Sequence, residues 1–236
     1  MRVDAILSRF GYCTRREAAA WVRSGRVLVH GEPVCAVNAQ VEPHSVMVDG
    51  EPVEFAQGLC VAMNKPVGYT CSHSDGDGEP VYTLLPQRWL RRTPAVQSVG
   101  RLDKETSGLL LFTDDGKLLH ALTSPKRHVP KEYAFTAAKP VPPDAVEIFA
   151  SGQLMLTGET TPCLPAQLAL TGECTGRLTL HEGRYHQVRR MLAAVGAPVV
   201  ALERVAIGAL RLDALALAPG GWVAVSPADI TPPDRP

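Results

Sequence analysis

The chain has 236 residues, 45% of them hydrophobic, and its 24 basic and 24 acidic side chains leave no net charge. That length exceeds the usual single domain, so a small module joined to a larger domain is expected. No run approaches the roughly 18 consecutive apolar residues of a membrane span, and the first residues lack a signal-peptide pattern, so a soluble cytoplasmic protein without a membrane partner is expected.

The neutral total hides two basic patches. Residues 1–30 hold Arg2, Arg9, Arg15, Arg16, Arg23 and Arg26 against Asp4 and Glu17, and residues 80–102 hold Arg88, Arg91, Arg92 and Arg101 with no acid. Patches of this kind neutralise phosphates even when distant acids cancel the sum, although each reads equally well as a solvated face. Val3, Ile6, Leu7 and Phe10 share one stripe of a short helix that Gly11 ends. Thr14 to Glu17 has the form of a capping box, which opens a second helix running to Gly25. Arg26–Val29 and Val46–Val48 read as strands with turns at His30-Gly31-Glu32 and Asp49-Gly50. This helix-helix-strand order resembles the S4 RNA-binding domain over residues 1 to about 51. In that family the helical pair offers basic residues to structured RNA, which here implies Arg2, Arg9, Arg15, Arg16, Arg23 and Arg26.

Residues 52–58 carry no strong pattern and read as a linker. From residue 59 onward, short apolar runs separated by Gly, Pro and Asp indicate an α+β domain, expected to extend to residue 225. Leu59–Asn64 is its first strand, punctuated by Lys65-Pro66-Val67-Gly68. Asp75, Asp77 and Glu79 lack the remaining ligand positions of a calcium loop. The cysteines (13, 35, 60, 71, 163 and 174) form no zinc-like spacing and are expected to be reduced, mostly buried thiols. His181 and His186 are one residue too far apart for an H-E-x-x-H helix, so no metal is expected. The proline-rich end after Pro219 reads as largely irregular, with residues 226–236 as a tail.

Three segments carry candidate chemistry. Gly100-Arg101-Leu102-Asp103-Lys104-Glu105-Thr106-Ser107-Gly108 places a carboxylate in a polar loop that feeds the apolar strand Leu109–Phe112. By spacing alone Asp103 reads as a turn cap. The second segment is Ser124-Pro125-Lys126-Arg127-His128-Val129-Pro130-Lys131-Glu132-Tyr133. The third runs from Glu182-Gly183-Arg184-Tyr185-His186 into Gln187-Val188-Arg189-Arg190-Met191, with a helix expected over Gln187–Val195 and stopped by Gly196. At about 100° per residue, Val188, Met191, Leu192 and Val195 form the apolar face, Arg189 sits at its edge, and Arg190 points away.

In this order the three segments are similar to the motifs of the RsuA-type ribosomal RNA pseudouridine synthases, and the resemblance spans residues 1 to about 225. It implies an S4-like module followed by a catalytic domain built on an extended, mostly antiparallel mixed sheet flanked by helices. It assigns Asp103 as the essential catalytic group, Tyr133 as the active-site tyrosine and Arg189 as the active-site basic residue. The reaction breaks the N1–C1′ bond of a uridine, turns the uracil and joins its C5 to C1′, so no cofactor is required. An unpaired buried aspartate would be driven neutral, so Arg189 is expected to lie beside Asp103 and hold it ionised. Residue types alone allow Asp103 either to attack C1′ or to take a sugar proton.

Extruding the target base costs a few kcal/mol, which phosphate contacts at Arg88, Arg91, Arg92, Arg101, Lys126 and Arg127 are expected to offset. Arg184 and Arg190 are weighed as further phosphate contacts or as plain surface charges. The implied partner is ribosomal RNA, free or within a subunit assembly intermediate, bound by a monomer. The second and third segments look closest to the small-subunit branch. A large-subunit enzyme, a non-catalytic RNA-binding assembly factor and a glycosidase that cleaves without rejoining remain the competing readings.

Overall fold

The computed structural model describes residues 1–72 and 78–230. Asp75, Asp77 and the last six residues of the tail therefore lie outside the described residues.

The N-terminal module opens with α1 (Val3–Arg9) and α2 (Arg15–Arg23). Its strands are β1 (Val27–Val29), β2 (Glu32–Pro33), β3 (Val46–Val48) and β4 (Glu51–Pro52). The expected capping box is present: Thr14 Oγ1 accepts from Glu17 N, and the Glu17 carboxylate accepts from Thr14 N. Such a cap contributes about 1 kcal/mol to a helix of this length. The expected apolar stripe, Val3, Ile6, Leu7 and Phe10, is buried against Ala18, Val22, Val27 and Val46, so the arginines of both helices are left on the outside.

The second domain contributes β5 (Cys60–Lys65), β6 (Tyr69–Thr70), β7 (Glu79–Pro80), β8 (Gln97–Ser98), β9 (Ser107–Thr113) and α3 (Gly116–Thr123). It continues with β10 (Lys131–Ala137), α4 (Ala145–Ala150), β11 (Gln167–Leu170), β12 (Thr175–Leu180) and α5 (Gln187–Ala194). The last elements are β13 (Val199–Ile207), β14 (Leu210–Arg211), β15 (Trp222–Ala224) and α6 (Pro227–Ile230). Among the described residues the main sheet runs β11-β12-β10-β13-β9-β5-β15, with β14 beside β13 and β8 beside β9. Every pairing is antiparallel except β13 with β9. The mixed, mostly antiparallel sheet is the expected one.

The central strand β9 is apolar at every position from Leu109 to Phe112 because both of its faces are covered. Leu110 and Phe112 pack with Val61, Met63 and Trp89 on one face, while Leu109 and Leu111 pack with Leu122 and Ile207 on the other. The site described below grows from the start of this buried strand.

Two expectations fail at the level of packing. The chain end is not irregular up to residue 230: β15 pairs with β5, and Ile230 is fully buried with its carbonyl accepting from Ala209 N. Apolar side chains among the prolines supply enough burial to hold that end on the sheet. Of the six cysteines only Cys60 and Cys163 are buried, and Cys35 is exposed; all six are free thiols. Among the described residues no helix is long and apolar enough to cross a membrane.

Residues 52–58 act as a fastening between the modules. Arg92, only 3% exposed, pairs with Asp114 at 2.8 Å and donates to the carbonyls of Glu54 and Phe55. Phe55 meets Trp89 edge-on, Glu54 binds Arg88 and Trp89, and Glu54 N donates to Tyr12 Oη.

Candidate active site

The loop that carries Asp103 is held from beneath by a buried cation. Lys65, at the end of β5, is fully buried, and its ammonium donates to the carbonyls of Pro66 (2.9 Å), Asp103 (3.3 Å) and Thr106 (2.8 Å). Burial pushes the Lys65 ammonium below the usual lysine range, and the charges of Cys71, Asp103 and Glu105 offset only part of that. Thr106 N closes the loop by donating to the Asp103 carbonyl. Five residues beyond Asp103, Gly108 faces Lys65 across the β5–β9 pair, so the loop springs from the point where that pairing begins.

Gly108 also fixes the one parallel crossing described in the main sheet. It lies opposite Arg204 with φ +102°, and a Cβ there would stand 2.4 Å from the Arg204 carbonyl. Only glycine allows this approach of β13 to β9. Arg204 itself is 1% exposed; its Nε donates to the Leu109 carbonyl, and its Nη2 is buried without a partner. The neighbouring Lys131 ammonium is also held below the usual lysine range, first by burial and then by Arg204. Arg204 thus lies close enough to both Lys65 and Lys131 for its charge to disfavour theirs, while each lysine ammonium is held by backbone carbonyls.

Tyr133 stands on β10, across from Leu178 and Arg204, immediately after a register shift between Glu132 and Tyr133. Such irregularities re-aim a side chain without ending the strand. The ring packs against both halves of the core, including the cluster that holds Leu102, the residue before Asp103.

Helix α5 brings the third segment to the same place, with its boundaries within a residue of those expected. Arg189 reaches inward as its position on the helix predicts, but its Nη2 donates to the Glu105 carbonyl at 2.9 Å and not to the aspartate. Among the described residues the basic side chain in contact with the Asp103 carboxylate is His186, with Nε2 3.4 Å from Oδ1. The Arg189 guanidinium expected near Asp103 is held on the backbone two residues away, and an imidazole takes the position beside the carboxylate. His186 occupies this position because it caps α5 in the left-handed region at φ 47°, which turns its ring back toward the loop. A non-glycine residue there costs about 1 kcal/mol, a strain that persists only where the surroundings impose it.

The basic residues separate into two groups. Arg92 does not serve as a surface cation, because it is buried in the clamp between modules. Arg2 pairs with Asp4, Arg26 with Asp49, and Arg88 with Glu54. Arg184 and Arg190 both bind Glu159 and the carbonyls of the 157–162 loop, so they brace the third segment. Arg9, Arg15, Arg16, Arg23, Arg91, Arg101, Lys126 and Arg127 are exposed. Arg91 lies near enough to Glu17 to help lower its pKa, which joins the second basic patch to the first at the start of α2.

Sequence reasoning missed three site residues. His186 was weighed only as a metal ligand, Lys65 lay in a turn-like Lys-Pro string, and Arg204 lay in an apolar strand. The only local signal was a charged residue inside a β-pattern, which marks burial and says nothing of its partner.

A motif-bearing aspartate loop and a tyrosine on an adjacent strand, with a basic helix over an S4-bearing α+β fold, define a class of RNA-modifying isomerase. The chain belongs to the RNA pseudouridylate synthase family, whose pattern matches residues 60–194, and the S4 domain pattern matches residues 1–47. It is 42% identical over 226 residues to the ribosomal small subunit pseudouridine synthase A of Escherichia coli K12, covering 94% of this chain and 95% of that protein. An uncharacterised RNA pseudouridine synthase of Bacillus subtilis strain 168 is 38% identical, covering 94% and 93%. A crystal structure of a pseudouridylate synthase superposes with a TM-score of 0.67 at 35% identity over 98% of both chains.

Proposed function

We propose that this protein converts one uridine of small-subunit ribosomal RNA to pseudouridine, with Asp103 as the catalytic group and Tyr133 and Arg189 completing the site. The observation that carries this reading is the Asp103 loop itself. The family motif is fastened by Lys65 at its base, tied by Arg189 at Glu105, and leaves the carboxylate side chain 35% exposed toward His186. The small-subunit target is supported by the 42% identity to a synthase named for that subunit.

In this reading Asp103 acts on the sugar of the extruded uridine as the N1–C1′ bond breaks. The uracil turns while Tyr133 lies against it, and C5 bonds to C1′ as the C5 hydrogen is lost and N1 gains one. Lys65, whose ammonium is held by three backbone carbonyls, keeps the Asp103 loop in place throughout. Arg9, Arg15, Arg16, Arg23, Arg91, Arg101, Lys126 and Arg127 supply phosphate contacts. Arg2, Arg26, Arg88, Arg184 and Arg190 give structural support first. The enzyme works as a cytoplasmic monomer on ribosomal RNA, free or in an assembling subunit.

Pseudouridine mapping of ribosomal RNA from cells lacking the gene tests this, with complementation by wild type or by Asp103→Asn. Loss at one small-subunit uridine, restored by wild type alone, is the expected result. Equal restoration by Asp103→Asn, or no change at any site, overturns it in favour of an RNA-binding assembly factor.

A further inference from the structure

Tyr185 is 76% exposed, the highest value among the large apolar side chains described, yet everything around it is held. Its carbonyl accepts from Arg190 Nη1 at 3.1 Å. On its N-terminal side Arg184 is fixed by Glu182 Oε2 (3.0 Å) and by the carbonyls of Thr161 (2.7 Å) and Pro162 (2.6 Å). On its C-terminal side Gln187 donates to Glu182 Oε1 at 2.6 Å. The ring itself stacks on His186, with centroids 3.9 Å apart and planes 17° from parallel, and His186 is the residue that faces Asp103.

An exposed aromatic ring gains nothing for folding by being positioned this way, and the left-handed backbone at His186 adds a cost. Rigid placement of a flat apolar surface does lower the cost of binding another flat surface. One face of Tyr185 is covered by the imidazole, and the exposure of the ring leaves the other open to a third member of the stack. The chemistry that fits is a nucleobase, since aromatic rings stack on any base through its π-face. Arg101, exposed two residues before Asp103, is available for the accompanying phosphate.

We infer that the Tyr185–His186 pair is a base-stacking platform, on which a nucleotide adjacent to the target uridine rests while the target occupies the Asp103 site. This rests on the proposed reading of that site as the one that receives a uridine from RNA. Stacking of the neighbour replaces part of the stacking lost when the target is extruded.

The test uses full-length protein and a nine-nucleotide oligouridine carrying 2-aminopurine at one position, moved stepwise along the strand. Wild type and Asp103→Asn are expected to quench the fluorophore strongly at one position and weakly elsewhere. Tyr185→Ala is expected to lose that quench and to bind about tenfold more weakly, whereas Tyr185→Phe keeps both. Quenching independent of position in wild type, or undiminished in Tyr185→Ala, overturns the platform. Position-dependent quenching lost in Tyr185→Ala, with no uridine converted in the mapping experiment, would leave the platform standing and remove the isomerase reading. Pseudouridine formation with Tyr185→Ala silent in both measurements removes the platform alone.

Discussion

His186 Nε2 lies 3.4 Å from Asp103 Oδ1, and both side chains remain more than one-third exposed. A polar contact this open to water contributes under about 1 kcal/mol to stability. Its value is directional: it sets where the carboxylate points before RNA arrives. His186→Ala is expected to lower the single-turnover rate at saturating protein about fivefold, besides weakening RNA binding through the lost stack on Tyr185, and His186→Gln, which keeps a donor but no ring, to recover most of the rate and not the affinity. An unchanged single-turnover rate at saturating protein would confine His186 to the stacking platform and remove its part in orienting Asp103.

The Arg92–Asp114 pair is buried at both ends, and Asp114 also accepts from Leu59 N. Removing one partner strands a charge together with the carbonyls of Glu54 and Phe55. Arg92→Met should destabilise the protein by about 3–5 kcal/mol, measured by urea denaturation at neutral pH. A loss below about 1 kcal/mol would show that the clamp is dispensable.

Gly108→Ala should be destabilising although alanine is the smallest chiral side chain. The added Cβ meets the Arg204 carbonyl at 2.4 Å and its amide nitrogen at 2.7 Å, at a φ of +102°. Backbone must move on one side of the parallel β13–β9 pairing, at a cost of more than about 2 kcal/mol. Because that pairing anchors the Asp103 loop, activity should fall further than stability at permissive temperature. Denaturation and turnover on the same preparation check both.

Glu159 is held below the usual glutamate value of 4.5, chiefly by its hydrogen bond from Arg190 and further by Arg184. A carboxyl whose folded pKa is depressed stabilises the fold above its unfolded value and loses that contribution as pH falls through the folded one. Wild type should therefore melt above Glu159→Gln at neutral pH, and the gap should close as the pH drops below about 4.5. A gap that stays constant through the acid range would mean that the arginines do not depend on the charge of Glu159.

The sequence by itself determined the elements and their chemistry. Stripes such as Val3, Ile6, Leu7 and Phe10 encode which face of a helix is buried, and the capping box at Thr14 sets a boundary locally, because both depend on residues a few positions apart. The inward reach of Arg189 was legible for the same reason, whereas Asp103 and Tyr133 were singled out by the resemblance of three motifs in a fixed order, spacing alone giving Asp103 only as a turn cap. Tertiary structure alone decided which charges meet. Arg92 and Arg91 are neighbours in a polar string, yet one is sealed in a clamp and the other extends the exposed patch. His186, Lys65 and Arg204 entered the site through partners 38 to 96 positions away. Periodicity carries no information about such pairings, because ion pairs and carbonyl contacts across a sheet are set by strand order and register, which emerge only when the whole core is packed.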